Sequence, residues 1–153
     1  MASEQLEVPS IEFPPNNIDF IRTDSSRSVS KLRIAMLVVG VRGDIQPMLA
    51  VAKRLQEFGH QVRVATHSNF AAFVKSAGVD FYPLGGDAHV FREDMGRAKG
   101  WFPSSPREMR KKRKQLKAIV ESVLPACTEA DIETGKPFRA QAIIANPAAY
   151  GEL

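Results

Sequence analysis

Cysteine occurs once in the 153-residue chain, at Cys127, which excludes an internal disulfide and leaves no thiol cluster for a metal. A reducing compartment follows as the natural setting. His60, His67 and His89 stand without ligand-like partners at useful spacing, so no metal and no other cofactor is expected. No apolar run approaches the ~20 residues that cross a bilayer, and Met1-Ala-Ser-Glu-Gln-Leu-Glu7 lacks the basic flank and apolar centre of a secretory signal. The chain is therefore expected to be cytoplasmic, touching membranes from outside if at all. The Gly-x-Gly-x-x-Gly fingerprint and the P-loop are also missing, which removes the usual signatures of a dehydrogenase or an NTPase. There is no internal repeat.

What is present is a basic body with an acidic leader. Residues 1–30 hold five acids and two bases, whereas residues 31–153 hold twelve acids and nineteen bases, so the net charge of +4 conceals an asymmetry. A basic surface favours anionic partners such as phospholipid headgroups, nucleic acid or phosphorylated ligands, and charge alone does not choose among them. The length suits one domain of about 100–200 residues with a real core.

Residues 1–30 mix Ser, Pro, Asn and Asp with isolated apolar side chains and show no sustained period, which predicts a disordered tail. From Lys31 the pattern alternates strand and helix, the signature of a parallel α/β sheet with right-handed crossovers. Leu32–Val39 reads as a strand covered on both faces. Gly40 and Gly43 bend the chain, Asp44 stands where an N-cap belongs, and a helix runs to about Phe58, closed by Gly59. Gln61–Thr66 is the second strand, Ser68 opens a short helix to Ser76, and Val79–Tyr82 is the third strand. The long stretch from Gly85 to Ser104 predicts a functional or mobile loop. Ser105-Pro-Arg-Glu108 is a capping box, predicting a helix from Pro106 to Leu124 that Pro125 stops, with Leu116, Ile119, Val120, Val123 and Leu124 on its apolar face. A polar loop at Asp131–Lys136 leads to a fourth strand, Ala140–Ala145.

Ligands of an open parallel sheet sit beyond the carboxyl ends of its strands, where Gly40–Asp44, His67, Gly85-Gly86 and Asn146 should emerge as one cleft wall. The run Gly40-Val-Arg-Gly-Asp-Ile-Gln-Pro47, with Ala65-Thr-His-Ser-Asn-Phe70, Phe81-Tyr-Pro-Leu-Gly-Gly-Asp87, Lys99-Gly-Trp-Phe-Pro-Ser-Ser-Pro106, Leu124-Pro-Ala-Cys127 and Ala142-Ile-Ile-Ala-Asn-Pro-Ala-Ala-Tyr-Gly151, resembles the N-terminal half of plant-type sterol 3-beta-glucosyltransferases. The similarity covers roughly Lys31 to Gly151. It implies a Rossmann-like open parallel sheet, the N-terminal half of a GT-B glycosyltransferase of family 28. It further implies transfer of glucose from UDP-glucose to the 3-hydroxyl of a membrane sterol with inversion, without a metal or a covalent glycosyl-enzyme.

On that resemblance residues 31–153 are expected to be an incomplete acceptor-side domain, without the C-terminal domain that holds the nucleotide-sugar, and inactive in isolation. Asp44 is either a helix cap or the base that takes the acceptor's proton, and one residue can serve both purposes. Gly40, Val41, Arg42 and Gly43 form the cleft loop. Arg42 is a donor-phosphate ligand or a solvated side chain, and Val41 departs from the Thr or Ser that relatives usually carry. His67, Trp101, Phe102 and Asn146 are candidates for an apolar acceptor groove, against local roles as a helix start or a loop anchor. Arg110, Lys111, Lys112, Arg113 and Lys114 are a solvated helix face or an anionic membrane surface. Nucleic acid is not expected, because no aromatics interleave the basic run. The competing reading is a truncated, non-catalytic fragment that binds sterol or membrane. It is motivated by Glu152, where the histidine-containing continuation of relatives breaks off.

Overall fold

The computed structural model describes residues 30–87, 89 and 105–146. The expected tail, Trp101 and Phe102, most of the loop from Gly85 to Ser104, and the stretch after Asn146 lie outside the described residues. Within them the order is β1 (Arg33–Leu37), α1 (Arg42–Glu57), β2 (Gln61–His67), α2 (Ala71–Ser76), β3 (Asp80–Leu84), α3 (Pro106–Thr128) and β4 (Ala142–Ala145). The strands form one sheet in the order β3-β2-β1-β4, parallel at every pairing. The strand order reverses direction at β1, so the switch point of the sheet lies between β1 and β4.

Alternation along the strands sorts two cores. Ile34, Met36 and Val38 of the β1 segment join Val62 and Val64 of β2 beneath Ile45, Leu49 and Ala52 of α1 and Val74 of α2. Ala35, Leu37 and Val39 point the other way, with Ala65, Tyr82 and Leu84, beneath Ile119, Ala126 and Cys127 of α3. Helices therefore cover both faces, which is why β1 and β2 read as continuous apolar runs.

Strand β1 ends at Leu37 and not Val39, β4 begins at Ala142 and not Ala140, and three further differences from the sequence reading bear on the site and the packing. Helix α1 starts at Arg42, with Val41 in extended conformation as its N-cap, so Asp44 is the third helical residue and not the cap. A carboxylate at that position reaches back to the cap's own N–H, which an N-cap side chain does not. Strand β3 extends to Leu84 through Pro83, which a strand tolerates at an edge, where one side needs no ladder donor. Helix α3 does not stop at Pro125 but continues to Thr128. Proline removes one donor, yet burial of Ala126 and Cys127 and a side-chain cap from β2 hold the last turn.

The apolar face of α3 also differs. Ile119 is buried and Val123 packs on the core, whereas Leu116, Val120 and Leu124 are 38%, 60% and 69% exposed. The helix turns its small residues to the sheet instead. A Cβ on Gly85 would lie 2.3 Å from the Ala118 carbonyl oxygen, so this glycine is what lets α3 come so close. Ser122 receives the Gly85 N–H at 2.8 Å and donates to the Ile119 carbonyl.

Candidate active-site loop at the switch point

Beyond Leu37 the chain leaves β1 through Val38 and Val39, both buried, and turns at Gly40, whose φ of +141° suits glycine alone. The turn brings Asp44 back over the bend. Its Oδ2 accepts the Val41 N–H at 2.8 Å, and a Cβ on Gly40 would sit 2.2 Å from the same oxygen. Gly40 and Asp44 thus form one unit, in which the glycine vacates the space that the carboxylate fills. Asp44 is half-buried, and among the described residues no hydrogen bond reaches its Oδ1.

Asn146 fixes the loop from the other side. Its Nδ2 donates to the Val39 carbonyl at 2.8 Å, its Oδ1 accepts the Val39 N–H at 3.1 Å, and its own N–H continues the ladder to Leu37. An amide side chain here replaces a strand residue and ties β4 to the root of the Asp44 loop across the switch point. The sequence placed Asn146 in an acceptor groove. The structure instead commits both ends of its amide to the backbone of Val39.

The other candidates divide. Arg42 is exposed and its guanidinium lies 4.5 Å from the Phe73 ring centre on α2, a cation–π contact that holds it beside the loop. Gly43 is exposed and a Cβ there would meet nothing within 4 Å, so sterics do not require glycine at that position. Val41 offers the helix no side-chain acceptor, so a Thr or Ser hydroxyl at this place would be a cap.

His67, expected on the open wall, is instead buried at 1% exposure on the α3 face of the sheet. Its burial lowers the imidazole pKa, while hydrogen bonding to the Gly86 and Gly85 backbone and the charge of Asp87 pull it upward. The alternation of β2 explains the miss. A residue at a strand's end still points into whichever layer its parity dictates. Of the basic run on α3, Lys112 is half-buried and Arg110, Lys111, Arg113 and Lys114 are exposed.

Sequence reasoning overlooked Arg63. It stands mid-strand among valines, fully buried, and its Nη1 donates to the carbonyls of Ala126 and Glu129 at 3.2 and 2.7 Å. Its guanidinium stacks 3.9 Å from the Phe138 ring centre and 5.3 Å from that of Tyr82. The signal was visible as one charge inside an apolar run. Its partner, the C-terminus of α3, was not. Among the described residues no group of three His, Cys, Asp or Glu side chains is placed to hold a metal ion.

A model of the glycosyltransferase family 28 N-terminal domain matches residues 34–153. The chain belongs to that family. It is 65% identical over 131 residues to the sterol 3-beta-glucosyltransferase UGT80B1 of Arabidopsis thaliana, covering 86% of this chain and 21% of that protein. It is 54% identical over 123 residues to UGT80A2 of the same plant, covering 80% and 19%. The chain thus spans about a fifth of the length of these two relatives. Among solved structures, CalG4, the calicheamicin glycosyltransferase, superposes with a TM-score of 0.52 at 16% identity, covering 80% of this chain and 28% of that one. The glycotransferase of kitacinnamycin gives 0.50 at 21% identity, covering 78% and 26%. These two likenesses concern the fold alone, and it is the Rossmann-like N-terminal half of a GT-B glycosyltransferase that the sequence predicted.

Proposed function

We propose that this domain is the acceptor-side half of an inverting sterol 3-beta-glucosyltransferase that uses UDP-glucose, with Asp44 as general base. The observation that carries the reading is 65% identity to a sterol 3-beta-glucosyltransferase in the very stretch that bears the Gly40–Asp44 loop. Oδ2 of Asp44 is spent on the Val41 N–H, which fixes the carboxylate, and Oδ1 takes the proton of the sterol hydroxyl as its oxygen attacks the sugar carbon. A nucleotide diphosphate leaves readily, so positioning and stabilisation of developing charge suffice, with no protein nucleophile and no metal.

Asn146 and Gly40 act by holding the loop, and Arg42 and Val41 border it. The nucleotide-sugar is held by a second domain supplied by the remainder of a longer polypeptide. Arg110 and Lys114, with Arg107 on the same flank of α3, rest on anionic headgroups of the membrane that contains the sterol, at about 1 kcal/mol per basic residue near the surface. No described helix is long and apolar enough to cross a membrane.

The test is a chimera in which this chain replaces the matched region of the Arabidopsis relative. It forms sterol glucoside, and Asp44→Asn lowers kcat about 10²–10⁴-fold with little change in sterol KM. Near-normal turnover of Asp44→Asn overturns the base assignment. Glucoside formation by the 153-residue chain alone would overturn the need for a second domain.

A further inference from the structure

The amino edge of the sheet, opposite the Asp44 loop, holds a second opening. Odd-numbered residues of β1 and β2 face α3, so Arg33 and Gln61, paired in register where the two strands begin, stand on that side with Arg63 one step further in. Helix α3 ends over them at Thr128, and the chain returns through Pro137, Phe138 and Arg139 on its way to β4. Between these walls lies a cleft of about 580 Å³, within the roughly 300–1,000 Å³ of small-molecule sites. At about 3.3 Å per residue, the stretch of chain from Arg33 to Gly40 puts it roughly 20 Å from the Asp44 loop.

The lining carries two cations and no acid. The Nε of Arg33 donates to the Arg139 carbonyl at 2.8 Å, which fixes the plane of the guanidinium and leaves both terminal nitrogens as a fork. Among the described residues neither arginine has an ion-pair partner, and no hydrogen bond engages the Arg139 guanidinium. The acids of the neighbouring loop are committed elsewhere. Glu129 accepts the Tyr82 O–H at 2.5 Å, Glu133 pairs with Lys75, and Oδ1 of Asp131 takes the Glu133 and Thr134 N–H groups and the Thr134 hydroxyl. Behind the Phe138 wall the buried Arg63 guanidinium adds a third positive charge, 3.9 Å from the ring centre.

We propose that this cleft binds a phosphate monoester that carries a neighbouring hydroxyl group. A permanently charged fork beside a second guanidinium suits a tetrahedral dianion, which can accept from both. The remaining polar groups suit the hydroxyl. Thr128 donates its proton to the Leu124 carbonyl at 2.9 Å, so its oxygen is left to accept, and the half-buried Gln61 amide can donate and accept. This site is separate from glucosyl transfer and stands whether or not Asp44 is the base. A soluble polyol phosphate and a lysophospholipid headgroup offer the same chemistry.

The 153-residue chain is titrated with glycerol 3-phosphate in about 0.15 M salt, where screening acts over about 8 Å, and the amide signals of Arg33, Gln61 and Arg139 are followed. They shift and saturate. Arg139→Gln weakens binding about tenfold or more and keeps the melting temperature within a degree or so, since that side chain is exposed. Arg33→Lys, which keeps the charge and loses the fork, weakens it as well. Lys53→Gln, an equal loss of charge at an exposed position of α1, leaves it unchanged. No saturable shift, shifts centred on the basic run of α3, or equal weakening by Lys53→Gln and Arg139→Gln overturns the proposal. A second arm offers lysophosphatidic acid, the same headgroup with an acyl chain, in phosphatidylcholine vesicles. Tighter binding than glycerol 3-phosphate at equal phosphate names a lipid source, and equal or weaker binding a soluble one. Binding of both probes that survives Arg139→Gln overturns the site.

Discussion

The two faces of the sheet make the most instructive contrast in this domain. The face under α1 and α2 is filled by Ile34, Met36, Val38, Val62, Val64, Ile45 and Leu49, with no ionisable group in its core among the described residues. The face under α3 buries Arg63, His67, Tyr82 and Cys127 among its apolar residues. One layer is held by shape and apolar area. The other adds charge, hydrogen bonds and a dependence on pH. Its centre is Arg63, whose contacts to two carbonyls at the end of α3 and to two rings substitute for the cap that Pro125 and the polar loop do not provide. Tyr82 adds to this end, donating to Glu129 at 2.5 Å, and desolvation first and this bond second push its pKa up to about 12.

The sharpest way to test the contrast is Arg63→Ala. It leaves the Ala126 and Glu129 carbonyls without their partner and opens a cavity between Phe138 and Tyr82, with an expected loss of about 3–5 kcal/mol in denaturant unfolding. A loss below about 1 kcal/mol would mean that α3 holds its last turn without help. Gly85→Ala is next. With 2.3 Å to the Ala118 carbonyl oxygen something must move, and an expected cost of about 1–3 kcal/mol should fall on α3 and spare α1, as read by hydrogen exchange. On the apolar face, Val41→Thr supplies the missing cap of α1 and should raise stability by about 1 kcal/mol at every pH.

The smallest effect is the pH dependence of the α3 face. The pKa of His67 is lowered in the folded state, so below its ordinary value of about 6.5 the unfolded chain binds the extra proton. Stability contributed by the neutral ring is therefore complete above that pH and declines as pH falls toward the folded pKa. Tyr82 acts at the other end. Its raised pKa makes stability fall as pH climbs from about 10 toward about 12. Thermal melts between pH 5 and 8 are expected to lose their acid slope in His67→Gln. An unchanged slope would assign it to another group.

Much of this architecture was legible in the chain. The apolar runs of β1 and β2, the glycine bend after β1 and the Ser105 N-cap all appear where local pattern placed them, because each depends on neighbours within a few residues. The run of α3 past Pro125 and the side of α3 that faces the sheet did not, because each is decided by a partner distant in sequence, while the start of α1 was misplaced because the Asp44 carboxylate serves from the third helical position, reaching back to Val41. The same holds at the site. Asp44 lies at the rim because Gly40 bends there, a local matter, whereas the burial of His67 follows from which layer covers β2, and the amide of Asn146 is claimed by a residue 107 positions away.

The sequence by itself determined the order of the elements, the bend that carries Asp44 and the family to which the chain belongs. These rest on backbone sterics, periodicity and residue identity, all carried by short stretches. Only the tertiary structure decided which polar groups are committed. Arg63 to α3, Asn146 to Val39 and Ser122 to Gly85 are pairings across tens of residues, and a buried hydrogen bond is fixed by what packing brings within 3 Å, which no local pattern records.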